Sequence, residues 1–247
     1  MKTALITGAS RGIGRATALL LAQQGYQIAV NYHQRESAAA EVVSLIHQQG
    51  GKAFSVQADI ADEEQVVEMF RVLDQHGSLL SALVNNAGIL FQQTSVEQLS
   101  AERINRVFAT NVTGTFLCCR EAVKRMSFQH GGQGGVIVNV SSAAARSGSP
   151  HEYVDYAASK GAVDTLTKGL SLEVAAQGIR VNGVRPGFIY TDMHADGGEA
   201  DRVNRLAPTI PMQRGGEPEE IAQAILWLLS DAASYITGTI IDAAGGR

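Results

Sequence analysis

Short aliphatic or β-branched runs alternate with longer amphipathic stretches along this 247-residue chain. TALIT, QIAV, KAFSVQ and SALVNN read as strands, and GRATALLLAQQG, SAAAEVVSLIHQQG and EEQVVEMFRVLDQHG place apolar residues at helical spacing between them. This alternation predicts βαβ units on a parallel sheet. Because the strands are apolar almost without a break, helices are expected on both faces of the sheet. The second half continues with GVIVNVSS, a helix across 152–176, IRVNGVRP, a helix across 218–230 and a last strand GTIIDA. No linker, repeat or composition break divides it, so residues 1–247 are expected to form one α/β, doubly wound, Rossmann-type domain of three layers. QHGGQGG at 129–135 reads as a helix-ending loop. The polar segment 191–216, with two prolines and four glycines, reads as a mobile substrate lid.

With 45% hydrophobic and 18% charged residues the chain can fill a large core. A net charge of −4 supplies no electrostatic drive toward nucleic acid or an acidic membrane. Cys118 and Cys119 are adjacent in an apolar helical stretch, which suits core or interface thiols and neither a disulfide framework nor a zinc site. The six histidines show no paired ligand spacing, so no metal is expected. The start, MKTALITGAS, has one basic residue and a short apolar run that soon reaches glycine. It reads as neither signal peptide nor membrane span, and a cytoplasmic location is expected.

Two stretches carry chemistry. TGASRGIG at 7–14 lies between the first strand and the first helix, where Gly8, Gly12 and Gly14 permit a tight turn and a close backbone approach, with a helix N-terminus aimed at a pyrophosphate. The spacing is G-x-x-x-G-x-G and not the usual dinucleotide fingerprint. Further on, YAASK at 156–160 puts Tyr156 and Lys160 four residues apart, hence on one helix face. Lowering a phenol from about 10 to near 7 takes about 4 kcal/mol. An ammonium ~4 Å away supplies a comparable ~4 kcal/mol at an effective dielectric near 20. An ordinary solvated helix face has the same spacing, so the pair alone does not decide between the two readings.

The motifs run in order along nearly the whole chain: TGASRGIG, NNAG at 85–88, Asn111 in TNVTG, NVSS at 139–142, YAASK, and RPGFIYT at 185–191. Together they resemble the short-chain dehydrogenase/reductase family. The resemblance implies a seven-stranded sheet, a homotetramer paired through helices 97–127 and 152–176, and reversible hydride transfer between a nicotinamide and a small carbonyl or secondary alcohol. It further implies that Tyr156 moves the proton and that Lys160 stabilises its phenolate and binds the nicotinamide ribose. Ser142 is implied to hold the substrate oxygen, and Asn111 a water beside the lysine. Ser10, Arg11 and Ile13 join the three loop glycines in the cofactor set. Asn86, Ala87 and Gly88 are implied to pass beneath the cofactor, and Asp59 with Ile60 to meet adenine, although Asp59 also suits a helix cap. Pro186, Gly187, Ile189 and Thr191 are implied to flank nicotinamide, with Thr191 on its carboxamide.

The nucleotide follows from the end of the second strand, QIAV, where an acidic residue normally holds the adenosine ribose. Asn31, Tyr32 and His33 stand there instead, and Arg11 offers a guanidinium for a 2′-phosphate, so NADP(H) is expected over NAD. Tyr153 is a rival phenol, but Ala157 stands four residues beyond it. His151 is placed near the substrate. Similarity to glucose dehydrogenases and to 3-oxoacyl-acyl-carrier-protein reductases is equal. The lid residues Asp192, His194, Asp196, Glu199 and Asp201 favour a small hydrophilic substrate such as a sugar. A reading from another class, an NADP(H)-sensing regulator without turnover, has no use for an activated phenol. The ending DAAGG departs from the D-G-G usual in the family.

Overall fold

The first strand lies inside the sheet, with two strands on one side of it and four on the other. In the computed structural model, which describes residues 2–77 and 79–247, β1 (Lys2–Ile6) is followed by α1 (Gly12–Gln23), β2 (Gln27–Tyr32), α2 (Glu36–Gln48) and β3 (Lys52–Gln57). The chain then crosses back through α3 (Glu63–Gln75) to β4 (Leu79–Asn85) on the other side of β1. Next come α4 (Ala101–Phe108), α5 (Thr115–Met126), β5 (Gly135–Val140), α6 (Ala144–Ser147), α7 (Val154–Val174) and β6 (Ile179–Pro186). The last part holds α8 (Met193–Asp196), α9 (Arg202–Leu206), α10 (Pro218–Leu229) and β7 (Ile240–Ala243). All seven strands are parallel, in the order β3-β2-β1-β4-β5-β6-β7. The reversal between β1 and β4 opens a crevice at their carboxyl ends, where doubly wound sheets bind ligands.

Alternation along each strand divides the core into two layers of one domain. Ala4 and Ile6 of β1, with Ile28, Val30, Val84, Val138 and Val184, pack against Leu21 of α1, Ile46 of α2 and Ile225 of α10. Leu5 points the other way with Ala29, Leu83, Ile137 and Val181, and meets Phe70 of α3, Ala122 of α5 and Leu166 of α7. Each such large side chain removed from water contributes about 1.5–3 kcal/mol. Cys118 and Cys119 belong to this second layer, and burial pushes the Cys119 thiol up to about 12 and Cys118 higher still. The edge strand β3 departs from the apolar expectation, with exposed Lys52, Ser55 and Gln57 as an edge requires.

Local signals start the helices where the sequence places them. Asp62 accepts from the Gln65 N–H and Glu63 and Glu64 occupy the first turn of α3, while Pro218 and a Glu217/Glu220 capping box start α10. One expectation changes: the helix expected over 97–127 is three pieces. A short 3-10 turn at Val96–Gln98 precedes α4, and a π-helical turn, Ala109–Gly114, joins α4 to α5. Asn111 sits in that turn, and its side-chain bonds to Ile89 hold the widened backbone in place. Segment 191–216, expected as a polar lid, contains α8, α9 and a 3-10 turn, and a bridge between Ile189 and Gly216 closes its base.

Candidate active site

Four strand ends are sewn together beneath the glycine loop. Thr7 Oγ1 accepts from the backbone N–H groups of Asn86 and Ala87, both at 3.0 Å. The Asn86 amide donates to the carbonyls of Thr7 and Gly8. Asn31 accepts from Gly8 N–H at 3.2 Å and donates to Ala58 O at 3.2 Å, so the residue standing in the acid's place at β2 also ties β1 to β3. Gly8 has a φ of +61° and lies so close to Ala87 that a Cβ would sit 3.0 Å from its Cα. Gly14 is tighter, since a Cβ there would lie 2.6 Å from both Asn86 Nδ2 and Gly8 O. Gly14→Ala is therefore expected to destabilise the fold by about 1–3 kcal/mol, as overpacking does. It should also weaken dinucleotide binding at least about tenfold, read by thermal melting and NADP+ titration, because Asn86 and the Gly8 carbonyl must move.

Above these bonds lies a cavity of about 490 Å³ lined by Gly8, Ser10, Arg11, Gly12, Ile13, Asn31, Tyr32, His33, Asp59, Ile60, Asn86, Ala87, Gly88 and Thr191. Arg35 and Arg106 add two further cations. Asp59 accepts from Ala61 N–H and stands 3.7 Å from His33. The guanidinium of Arg11 is not free, because Asp196 and Asp192 of the lid segment pair with it and Arg35 lies 3.7 Å from Asp192. Its buried Nη1 still lacks a hydrogen-bond partner. A glycine-lined crevice with an unsatisfied guanidinium N–H fits a phosphorylated dinucleotide.

Ile13, Asn86, Thr191 and Met193 are shared with a second cavity of about 440 Å³. Ser142, Tyr156, Lys160, Pro186, Gly187 and Ile189 line it, so the two sets predicted from sequence meet along one continuous surface. Asn111 and Gly14 line neither cavity and act from beneath. β5 stops at Val140, two residues before its expected end, and Ser141 and Ser142 lie beyond it. Ser141 donates to the Lys160 carbonyl, whereas Ser142 accepts from Ala144 N–H and reaches the Tyr156 phenol. Lys160 donates to Val140 O at 2.8 Å, and its ammonium is 5.6 Å from the centre of the Tyr156 ring. A Cβ on Gly88 would lie 3.4 Å from both Lys160 Nζ and Asn111 Oδ1. Asn111 is fully buried; it accepts from Ile89 N–H and donates to Ile89 O and Ser159 Oγ. Ser159 donates in turn to the Tyr156 carbonyl.

The Coulomb balance expected from the Tyr156/Lys160 spacing is incomplete. Tyr156 and Lys160 are 8% and 4% exposed, and burial opposes charge on both. Desolvation pushes the phenol up to about 12 against the Ser142 hydrogen bond, and brings Lys160 down to about 8 despite Asp164. Burial thus outweighs the attraction that the spacing alone supplies.

A family model described as Enoyl-(Acyl carrier protein) reductase matches residues 8–247. "Uncharacterized oxidoreductase YgfF" of Escherichia coli is 72% identical over the full length of both chains. "Glucose 1-dehydrogenase 2" of Bacillus subtilis is 38% identical over 99% of this chain and 94% of its own. "3-oxoacyl-[acyl-carrier-protein] reductase FabG" of Staphylococcus aureus is 41% identical over 99% and 97%. A crystal structure of a short-chain type dehydrogenase/reductase from Mycobacterium marinum superposes with a TM-score of 0.92 at 37% identity, covering 99% of this chain and 94% of that one. The chain belongs to the short-chain dehydrogenase/reductase family. It is an oxidoreductase, and members of the family use nicotinamide cofactors.

Within this short-chain dehydrogenase/reductase several pocket residues escaped the motifs. Arg202, Leu206 and Arg247 line the second cavity together with Phe188, which lies within RPGFIYT, and Tyr153, whose hydroxyl donates to Gly197 O. Arg202 is buried, bonds Glu152 and Glu199, and stacks near the rings of Tyr153 and Phe188. Its only sequence signal was a cation inside the lid. His151 is exposed, at a φ of +62°, and does not line the cavity. His194 does, and burial together with Arg202 lowers its pKa. The lid carboxylates point elsewhere: Asp192 and Asp196 to Arg11, Glu199 to Arg202 and Arg205, and Asp201 to Asn204. The four lid carboxylates are therefore engaged in ion pairs and hydrogen bonds, while His194 and Arg202, the partner of Glu199, face the second cavity.

Proposed function

We propose that this oxidoreductase moves a hydride reversibly between NADP(H) and a small carbonyl compound or secondary alcohol. The observation that carries the reading is the meeting of Ser142, Tyr156 and Lys160 on one cavity continuous with the glycine crevice. The nicotinamide supplies the hydride. Ser142 holds the substrate oxygen against Tyr156, whose phenol, protonated at neutral pH, gives that oxygen its proton during reduction and takes it back during oxidation. Lys160, whose pKa burial brings down to about 8, stays mostly protonated at neutral pH, and its ammonium offsets the negative charge that develops on the phenol as the proton leaves. Asn111 fixes the Ile89 backbone and the Ser159 hydroxyl, which in turn donates to the Tyr156 carbonyl.

For the adenosine end, Arg11, Arg35 and His33 receive the 2′-phosphate, which displaces Asp192 and Asp196 from Arg11. Exposed Ile104, Phe116 and Leu172, on α4, α5 and α7, support a homotetramer paired through these helices. A cytoplasmic location completes the proposal; no described helix is long and apolar enough to cross a membrane.

NADPH absorbance followed while ketones, sugars and acyl thioesters are offered to the purified protein tests the reading. Oxidation is expected with small carbonyl compounds. Tight NADPH binding with no oxidation by any member of the panel would favour the sensor instead. Arg11→Ala is expected to weaken NADP+ at least about tenfold while leaving NAD+ nearly unchanged, the scale of one charge-assisted hydrogen bond. Equal losses for both nucleotides would count against the phosphate role.

A further inference from the structure

The substrate cavity is cationic in a chain whose net charge is −4. Arg146, Lys160, Arg202 and Arg247 line it, against one carboxylate, Glu152. Three of the four cations are committed. Arg146 pairs with Asp242 at 2.6 Å, Arg202 with Glu152 and Glu199, and Lys160 is held by the Val140 carbonyl beside Tyr156. Arg247 is different. No carboxylate among the described residues pairs with it, and its one side-chain hydrogen bond is a long one, 3.4 Å, to Thr209 Oγ1.

The guanidinium is nevertheless placed. After β7 the chain turns back through Gly245 and Gly246, both at positive φ, and the Arg247 N–H bonds Ala244 O. Its guanidinium then lies 4.8 Å from the centre of the Phe188 ring, and Arg202 lies 5.4 Å from the same ring. Stacking on an aromatic face restrains a guanidinium while leaving its in-plane N–H fork free for a planar anion. The cofactor's phosphates do not account for it, because the glycine loop with Arg11, Arg35 and Arg106 lines the other cavity.

We infer that Arg247 is a specificity residue for a substrate carboxylate, and that the substrates are small oxo acids and the matching hydroxy acids. A carboxylate accepts two parallel N–H bonds from Arg247 while the carbonyl to be reduced lies against Ser142 and Tyr156. The inference rests on the hydride-transfer reading.

The test compares NADPH oxidation by 2-oxobutanoate, acetoacetate and levulinate, each against its methyl ester, in the wild type, Arg247→Gln and Arg247→Lys. At least one acid is expected to exceed its ester about tenfold or more in kcat/KM. Arg247→Gln should raise KM for that acid about tenfold with kcat nearly unchanged, as loss of uniform binding does. The ester should lose far less than the acid, and Arg247→Lys should restore part of the preference. Esters reduced as well as acids, or equal losses on both in Arg247→Gln, overturn the carboxylate inference and leave the dehydrogenase reading standing. If none of the six compounds is reduced, calorimetric titration of the acids into NADP+-loaded protein decides. Absence of binding, or binding unchanged by Arg247→Gln, overturns the inference, whereas binding that Arg247→Gln abolishes upholds the carboxylate site and places the fault with hydride transfer to these compounds.

Discussion

Tyr156→Phe will lower kcat/KM about a thousandfold while NADP(H) affinity stays within about a factor of two. The size follows from what is removed. A positioned proton donor contributes about a hundred- to ten-thousandfold, and only the phenolic oxygen is lost. The ring stays in its buried place, and Ser142 keeps its bond from Ala144 N–H, so no cavity opens and no orphaned carbonyl is left. At neutral pH the phenol, pushed up to about 12, is uncharged, so the substitution leaves the charge of the crevice as it was. Steady-state kinetics with NADPH, beside fluorescence titration of the same nucleotide, reads both halves. Activity retained in the variant would shift attention to Tyr153, the other phenol on the cavity wall. Loss of cofactor binding in step with turnover would mean that the ring, and not its hydroxyl, matters.

The fold was legible because its signals are local and repeated. Continuous apolar runs such as TALIT and VIVNV leave no polar face, which forces helices onto both sides of the sheet, and the glycine loop marks the strand-to-helix turn where the crevice opens. Tyr156, Lys160 and Ser142 were legible because one helix face and one strand end bring them together. What escaped depends on distant pairing. The sequence around Asp192 and Asp196 shows acids in a lid and does not show that Arg11, some 185 positions earlier, claims them. Arg202 and Arg247 were invisible for the same reason, since their meaning lies in a shared neighbour, Phe188. The opposed ionisation of Tyr156 and Lys160 also needed the structure, because spacing gives the Coulomb attraction and only burial gives the desolvation that outweighs it.

Lys160→Met separates those two contributions. Removing the ammonium, 5.6 Å from the ring centre, is expected to cut turnover on the order of a hundredfold or more, because the Ser142 hydrogen bond alone is then left to stabilise negative charge on the phenol as the proton leaves. Unlike Tyr156→Phe it should also weaken NADP(H), since the lysine reaches Gly88 on the crevice floor. In the cofactor-free protein the effect on stability has the opposite sign. Lys160 falls from an ordinary 10.5 to about 8 on folding, a gap worth on the order of 3 kcal/mol. Below pH 8 the lysine is charged in both folded and unfolded chains, and the native state bears the whole cost of burying it. Between about 8 and 10.5 the native protein sheds the proton first, the unfolded chain binds more protons, and stability rises with pH. Methionine fills the space without titrating. The stability advantage of Lys160→Met over wild type, measured by urea unfolding, should therefore be larger at pH 7 than at pH 10.5 by on the order of 3 kcal/mol, and other ionisations cancel in the difference. Two curves that run parallel across that range would show a lysine already solvated or paired in the free enzyme. A gap that closes as pH rises would mean that the residue needed for turnover is also one that the empty fold holds at a cost, as catalytic sites commonly do.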